Sequence, residues 1–269
     1  MLFGSFTLDL IQDGLFSLPP DTFVGALPQQ GQRVLLGMNC LLVRSRERTI
    51  LVDAGVGSKP RRDFVERYQM EWPRRLFGEL GRMQLRPHDI DAVILTHLHW
   101  DHAGGATCAN ETGETAPAFP RAQYFVQESE WEEATKAPPD SEDYCAEDFV
   151  PLRDAGVLTL LDGDSELFPG VAMRQTGGHT SGHSIVIVGD PSQRAVFLAD
   201  LIPTVSMLLP ETTMSYDGNP AVLVREKQKI LQEALEQRWL LIFQHAPRQR
   251  AGYLRLGDDN TPEMEPVAL

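Results

Sequence analysis

Cysteine is scarce in this chain, and the few cysteines present are far apart. Only Cys40, Cys108 and Cys145 occur in 269 residues, which is an odd number. This usage excludes the disulfide framework typical of small secreted domains, and it excludes a cysteine-based zinc knuckle. It predicts a reducing compartment, so we expect the protein to be cytoplasmic.

Long apolar runs and excess positive charge are missing as well. No uncharged apolar segment approaches the ~20 residues that span a bilayer, and the opening MLFGSFTLDLIQDG lacks the basic start of a signal peptide. The chain carries 24 basic and 38 acidic residues, a net charge of −14. This charge predicts no nucleic-acid partner and no binding to an anionic membrane surface.

The remaining composition is that of an ordinary globular protein. Hydrophobic residues make up 42% and charged residues 23%, and the chain is long enough to bury a large core. We therefore expect a single domain over residues 1–269, with a small-molecule partner. The sequence does not decide the oligomeric state, and a homodimer is compatible with it.

The apolar pattern predicts strands and helices in both halves of the chain. Residues 39–55 are typical of a hairpin, and 59–86 has an arginine-rich helical pattern with proline and glycine breakers. Ser129 and Asn219 are predicted helix N-caps, the second helix running to about Gln237. Further strands are predicted near 92–95, 157–161, 171–176, 184–188, 195–199 and 239–245. The pattern predicts an α/β sandwich of two sheets covered by helices.

Histidine is also rare, and its distribution is uneven. Three of the seven histidines lie within THLHWDH, residues 96–102. His97 and His99 are two positions apart after a predicted strand, so both can point toward one cation. Asp101 and His102 can then turn toward a second cation. An open position in such a set is typical of a catalytic metal site, and chance placement of this pattern is roughly a one-in-thousands event.

Three further residues of types that commonly bind metal follow predicted strands. His179 lies in QTGGHTSGHS after two glycines, Asp200 ends the run AVFLAD, and His245 ends LLIFQH. Each alone is more typical of a turn or a structural role. Because strand ends gather at one edge of a sheet, we expect the three to meet the 97–102 cluster in one cleft.

These motifs together resemble the metallo-β-lactamase-fold hydrolase superfamily. The resemblance rests on H-x-H-x-D-H, G-H-T-x-G-H, the aspartate after FLA and the late histidine, with ILVDAGVG at 50–57 as an early motif, and it extends from about residue 33 to 246. It implies an αββα sandwich with two mixed sheets and a dinuclear centre, usually zinc, with manganese, iron or cobalt as alternatives. By the same resemblance, one cation binds His97, His99 and His179, the other binds Asp101, His102 and His245, and Asp200 bridges them.

Differences between this sequence and the motifs of other branches of the superfamily limit which branch it resembles. Asp200 stands where several β-lactamases have cysteine, and His99 stands where oxygen-reducing members have glutamate. A nuclease needs a basic groove, but the arginines of 61–86 alternate with acidic residues and predict a solvated helical face. The segment after Asp200 resembles the quorum-quenching lactonase and organophosphate hydrolase branch. That branch has a tyrosine where this chain has Pro203, so Tyr216 is predicted either to supply the phenol or to be an ordinary packed side chain.

The predicted chemistry is hydrolysis of a lactone or related ester, with an acyl-homoserine lactone as one possible substrate. Asp101 is expected to orient the attacking hydroxide and to transfer a proton to the leaving group, and Tyr216 to stabilise the oxyanion. Asp53, Thr180 and His183 are expected to support the metal ligands. Trp100, Met207, Leu208, Leu209 and Met214 are predicted either to line the substrate pocket or to cover the sheet edge. The alternatives are a glyoxalase II-like thioesterase, a phosphotriester hydrolase, or a protein that only holds metal.

Overall fold

The fold was analysed in a computed structural model that describes residues 1–25, 32–59, 62–259 and 261–269. Its strands, in chain order, are β1 (Leu2–Phe3), β2 (Phe6–Leu18), β3 (Phe23–Val24), β4 (Val34–Arg44), β5 (Thr49–Val52), β6 (Ala92–Ile94), β7 (Thr107–Ala109), β8 (Thr115–Pro117), β9 (Gln123–Gln127), β10 (Leu158–Leu161), β11 (Ser165–Phe168), β12 (Val171–Gln175), β13 (Ser184–Asp190), β14 (Gln193–Phe197), β15 (Thr213–Met214), β16 (Leu240–Ile242), β17 (Ala251–Leu256) and β18 (Pro262–Pro266). The helices are α1 (Arg62–Arg67), α2 (Leu76–Arg82), α3 (Trp100–Ala103), α4 (Glu128–Lys136), α5 (Val150–Asp154) and α6 (Pro220–Gln237).

Two seven-stranded sheets form the body of the protein, one from each half of the chain. The first has the strand order β1-β2-β4-β5-β6-β9-β10, and the second has the order β11-β12-β13-β14-β16-β17-β18. Both are mixed: β5, β6, β9 and β10 pair in parallel, as do β14 and β16, and the other neighbours are antiparallel. The predicted two-sheet α/β architecture is therefore confirmed.

Alternation of side chains along the strands builds three apolar layers. In β4, Leu41 and Val43 pack between the sheets against Val186 and Val188 of β13. Their neighbours in β4, Cys40 and Leu42, point to the opposite face, because successive side chains in a strand alternate. From one outer face of the protein to the other, the layers are therefore helices, the first sheet, the second sheet and helices.

Each outer face is covered by helices. Leu76 and Leu80 of α2 pack on the outside of the first sheet, and Leu223 and Ile230 of α6 pack on the outside of the second. The predicted Asn219 cap is confirmed, since its side chain accepts the backbone N–H of Val222 at 3.2 Å. No helix among the described residues is long and apolar enough to cross a membrane.

Three local predictions need correction. Helix α4 begins at Glu128 with Gln127 as its N-cap, so Ser129 lies in the first turn and is not the cap. The arginine-rich stretch is divided into two short helices, α1 and α2, and Arg61 lies outside the described residues. Residues 107–120 are polar and contain proline and glycine, a composition that predicts a loop, but they form the small β7–β8 ribbon.

Candidate metal centre

The segment 97–102, which comprises the loop after β6 and the start of α3, carries four donor side chains. Asp53, which follows β5 on the neighbouring strand, holds the start of this loop. Its carboxylate accepts the backbone N–H of Thr96 and the Thr96 hydroxyl, both at 2.9 Å. His97 and His102 are completely buried, and His99 and Asp101 are nearly so.

The second sheet contributes three donors, each from a different segment, which follow β12, β14 and β16. His179 follows Gly177 and Gly178, whose positive φ angles turn the backbone; a side chain at Gly178 would lie 2.6 Å from the backbone nitrogen of Leu223. Asp200 follows Ala199, which has a φ of 44° without being glycine. Such left-handed geometry costs energy and occurs where the surrounding structure enforces it. His245 is held by its backbone N–H, which donates to Pro203 O at 2.9 Å.

All seven predicted donors meet at one edge of the sandwich. Three groups have ligand atoms within 4.8 Å of one another: His97, His99 and His179; His97, His102 and Asp200; and Asp101, His102 and His245. The Asp200 carboxylate lies between them, with Oδ1 at 3.3 Å from His102 Nε2 and 3.0 Å from His245 Nε2. Its other oxygen, Oδ2, is 3.3 Å from His179 Nε2.

The hydrogen bonds on the outer nitrogens orient the imidazoles. His102 Nδ1 donates to Asp53 Oδ2 at 2.8 Å, and His179 Nδ1 donates to Asp217 Oδ1 at 2.7 Å. His245 Nδ1 donates to the carbonyl of Gly37 at 2.7 Å. Because Nδ1 is occupied by these hydrogen bonds, Nε2 is the nitrogen that each of the three rings turns toward the centre and through which it can bind a cation.

Ring nitrogens of different histidines face one another at the centre, where a cation between them could bind both. His102 Nε2 and His245 Nε2 are 3.3 Å apart, and His99 Nδ1 is 3.2 Å from His179 Nε2. His97 Nε2 is buried and has no hydrogen-bond partner among the described residues. This donor set of imidazoles and carboxylates fits two divalent cations.

The pKa shifts divide the five histidine donors into two groups. Burial, reinforced by neighbouring histidines, lowers the pKa of His97 and of His99 well below the usual range of histidine. Neutral imidazole is the form that binds metal. Burial alone would lower the pKa of His102, His179 and His245, but Asp200 and other nearby carboxylates raise it, and a bound cation would take the place of the proton. Burial would raise the pKa of Asp200, but the adjacent imidazoles, His245 first, lower it well below the usual range. Asp200 therefore remains an ionised carboxylate between the two groups.

The expected supporting residues lie around the donors, together with one that the sequence did not indicate. Asp53 binds His102, and His183 Nε2 accepts the backbone N–H of Asp200 at 3.0 Å while its Nδ1 contacts the Thr176 hydroxyl. Asp217 was not predicted, although it follows Tyr216 directly in SYDGNP. It contacts His179, and its second oxygen accepts the Met214 N–H at 2.6 Å.

A cleft of about 390 Å³ opens above the donors. Phe16, Tyr68 and Trp100 form an aromatic wall, in which Tyr68 stacks on Trp100 with ring centroids 5.1 Å apart. Tyr216 also lines the cleft, and its ring lies 5.6 Å from that of His179. Asp101 and Asp200 lie at the bottom, so the two predicted catalytic side chains, Asp101 and Tyr216, share one cavity.

The rim of this cleft is acidic. Asp21, Glu142 and Asp143 lie on it, and Arg67 forms an ion pair with Glu142. Other arginines of the 61–86 segment pair on the surface, Arg75 with Glu71 and Arg82 with Glu79. Arg67 is the one basic residue that lines the cleft within the part of the chain that the structure describes, so this edge has no groove for a polyanion.

Only part of the predicted apolar wall lines the cleft. Trp100 is in the wall, whereas Met207, Leu208 and Met214 are buried in the core beside α6. The loop 201–217 therefore packs these side chains inward and presents Tyr216 to the cavity. His88 lies on the surface beside Asp89, 3.5 Å away, as expected for a residue outside the site.

Comparison with known proteins agrees with this geometry. An N-acyl homoserine lactonase of a Bacillus species is 29% identical over 234 residues, covering 82% of this chain and 86% of the relative. A probable metal-dependent hydrolase from Staphylococcus aureus superimposes with a TM-score of 0.82 at 22% identity, covering 100% of both chains. An N-acyl homoserine lactone hydrolase solved with N-hexanoyl-L-homoserine at its catalytic metal centre gives a TM-score of 0.72 at 25% identity, covering 93% of this chain and 96% of that one.

A family model decides the assignment. The model of the metallo-beta-lactamase superfamily matches residues 34–241, which include the whole first donor cluster, His179 and Asp200. With the two-sheet sandwich and the donors at one edge, this confirms the resemblance. The chain belongs to the metallo-β-lactamase superfamily.

Proposed function

We propose that this protein is a dinuclear metal-dependent hydrolase that opens lactones or closely related esters. The observation that carries the proposal is the convergence of seven metal-binding side chains at the bottom of an aromatic cleft, where ring nitrogens of different histidines are only 3.2–3.3 Å apart. The similarity to N-acyl homoserine lactonases supports lactones as the substrate class.

His97, His99 and His179 would hold one cation, Asp101, His102 and His245 would hold the other, and Asp200 would contact both. Bound divalent cations would lower the pKa of water toward 7 and polarise a carbonyl. Zinc fits the nitrogen and oxygen donors, and manganese, iron and cobalt fit them too.

The other residues of the cleft supply positioning and proton transfer. Asp101 Oδ2 is 3.6 Å from His245 Nε2, so this carboxylate borders both the donors and the cavity. We infer that it orients the attacking water and later carries a proton to the leaving alkoxide. The Tyr216 hydroxyl is available to donate a hydrogen bond to the oxyanion, in the role of the tyrosine that Pro203 replaces.

The walls of the cleft favour a neutral substrate with an apolar group. Phe16, Tyr68 and Trp100 offer a surface for an acyl chain, and the acidic rim disfavours anions. An acyl-homoserine lactone meets both conditions. A phosphotriester is also neutral, so phosphotriester hydrolysis is the second candidate, and the acidic rim weighs against an anionic thioester.

A hydrolysis panel tests the proposal. The protein, reconstituted with zinc, manganese or cobalt, would be assayed on N-hexanoyl homoserine lactone, a simple aryl ester, a glutathione thioester and an aryl phosphotriester. We expect the lactone to be the best substrate. Tyr216→Phe should lower kcat and leave the metal content unchanged.

The control is the double variant His97→Ala/His99→Ala, with metal content measured in parallel. It should lose metal and turnover together. Turnover that persists without metal would refute the mechanism, and a protein that binds two equivalents of metal but hydrolyses none of the four substrates would be a metal-holding protein.

We also propose that residues 1–269 act as a single domain in the cytoplasm. The free cysteines support a reducing location: Cys40 is buried in the core, and Cys108 and Cys145 form no disulfide.

A further inference from the structure

Glu130 is a fully buried acidic residue outside the proposed donor set. It lies in the first half of α4, where its side chain has no exposed surface. Among the described residues, no lysine or arginine forms an ion pair with it. A buried carboxylate without a cation requires several hydrogen-bond donors to remain in the folded protein.

Its donors come from both halves of the metal centre. One oxygen, Oε1, accepts the backbone N–H of Leu98 at 2.9 Å, and Leu98 stands between the donors His97 and His99. The other oxygen, Oε2, accepts the hydroxyl of Thr180, the residue directly after His179, and the backbone N–H of Gly182 at 3.3 Å.

Tyr144 and the close packing of the loop complete this contact. The Tyr144 hydroxyl lies between two carboxylates, 3.0 Å from Glu133 Oε1 and 3.3 Å from Glu130 Oε1, and the Tyr144 ring lies 5.0 Å from that of His99. Gly182 lies directly on α4, because a side chain there would come within 2.3 Å of the Glu130 backbone nitrogen. The carboxylate therefore connects α4, the 97–102 loop and the 179–182 loop at one point.

The carboxylate of Glu130 thus joins two loops that come from different sheets. His99 and His179 follow strands of different sheets, and their facing nitrogens are 3.2 Å apart. We propose that Glu130 is a positioning residue that fixes the His97–His99 segment against the His179 loop and so sets the affinity of the first metal position. This inference rests on the proposed role of these three histidines as ligands of one cation.

The amide of glutamine cannot replace this carboxylate. Each Glu130 oxygen accepts a backbone N–H, from Leu98 at Oε1 and from Gly182 at Oε2, so an amide nitrogen in either position would face an N–H donor. Glu130→Gln keeps the shape of the side chain and removes one acceptor, so it tests the hydrogen bonds separately from packing. Glu132→Gln is the matched control, since Glu132 is an exposed neighbour that pairs with Lys136 on the same helix.

The experiment measures metal binding in the full-length protein without substrate. Zinc affinity would be determined by chelator competition for wild type, Glu130→Gln and Glu132→Gln, and the cobalt-substituted proteins would be compared by absorption spectroscopy. We expect Glu130→Gln to weaken one of the two metal equivalents by about 10–100-fold, as is typical for a residue that orients a ligand. The other equivalent and the Glu132→Gln protein should remain at wild-type values.

The identity of the weakened position provides a further readout. Glu130→Gln should resemble His99→Ala in its cobalt spectrum, whereas a general loss of stability would weaken both equivalents alike. If Glu130→Gln does not fold, Thr180→Val removes a single donor to the same carboxylate and should weaken the same equivalent several-fold.

Wild-type affinity at both positions in Glu130→Gln would overturn the proposal, and so would equal weakening of both. Because no substrate is involved, selective loss of one equivalent would support the role of Glu130 even in a protein that fails the hydrolysis panel. A protein that hydrolyses lactones normally while both equivalents are unaffected by Glu130→Gln would support the function and refute this inference.

Discussion

The two sheets contribute to the metal centre in opposite ways. The first sheet supplies four donors from a single loop, residues 97–102, which follows one buried strand. The second supplies three donors from three strand ends that are far apart in sequence, His179, Asp200 and His245. A dense cluster is built by local chain geometry, whereas the dispersed set depends on long-range packing.

The two sets of donors are also held in place differently, the first by one nearby carboxylate and the second by contacts with several segments. Asp53 binds both Thr96 and His102, so a single carboxylate fixes the start and the end of the first loop. The second set depends on strained backbone at Ala199 and on hydrogen bonds to the segment before α6, including Gly218 N–H to His179 O at 2.9 Å. Substitutions that affect the first set of donors and substitutions that affect the second set should therefore have different effects.

The largest effect is expected where the two halves meet, at Asp200. Its carboxylate contacts His102, His179 and His245, so Asp200→Ala should remove the contact that both metal positions share. We expect loss of tightly bound metal at both positions and a fall in kcat/KM of about 10³-fold or more, which corresponds to several kcal/mol. Metal analysis and steady-state kinetics would measure this, with the surface variant Asp190→Asn as control. Retention of two equivalents in Asp200→Ala would show that the halves bind metal independently.

Lys227 gives a pH-dependent test of the second half. This buried ammonium donates to the carbonyls of Thr212 and Met207, in the loop that carries Asp217. Burial lowers the pKa of Lys227 to about 8 from its ordinary value of 10.5, although Asp217 and Glu211 act in the opposite direction. The unfolded chain therefore binds the proton more tightly than the folded protein between pH 8 and 10.5.

This difference in proton affinity determines how the free energy of unfolding changes with pH. The cost of the buried charge is fully present below pH 8 and disappears as the pH rises to 10.5, because the neutral amine can still donate to both carbonyls. Relative to Lys227→Met, the wild-type free energy of unfolding should rise by about 3 kcal/mol across this window. Urea unfolding of both proteins at several pH values would measure it. A constant difference between the two proteins would contradict the prediction.

The two carboxylates that orient imidazoles permit a direct comparison of the halves. Asp53→Asn and Asp217→Asn each remove a carboxylate partner from one imidazole, His102 and His179 respectively, and each should weaken metal binding by about 10–100-fold. We expect Asp53→Asn to have the larger effect, because Asp53 also accepts two hydrogen bonds from Thr96. Within the described part of the chain, Asp217 accepts only one besides that of His179, from Met214. Chelator competition on the two variants would rank them, and a larger effect of Asp217→Asn would reverse the proposed order of anchoring.

The smallest effect is expected at Ala199. Its positive φ is unfavourable for alanine and easy for glycine, so Ala199→Gly should leave stability unchanged or increase it by about 1 kcal/mol. The control is Ala195→Gly in β14, which should be destabilising because glycine weakens a strand interior. Thermal unfolding would compare them. Equal destabilisation by the two substitutions would show that the turn before Asp200 carries no strain.

The residues of the site that could be predicted are those marked by local sequence patterns. The spacing of His97, His99, Asp101 and His102 predicted their convergence, and strand ends predicted the positions of His179, Asp200 and His245. Asp217 and Glu130 were missed. They contact His179 and Leu98 across 38 and 32 positions of sequence, and nothing next to them in the chain indicates those partners.

The sequence by itself determined the fold class and indicated the residues proposed as donors, because strand alternation, helix caps and ligand spacing are local patterns that each segment expresses regardless of its surroundings. Only the tertiary structure decided which acceptors orient the imidazoles, which apolar residues line the cleft, and how the two loops are connected. Those outcomes depend on contacts between segments from different sheets, and such contacts exist only after both sheets have packed together.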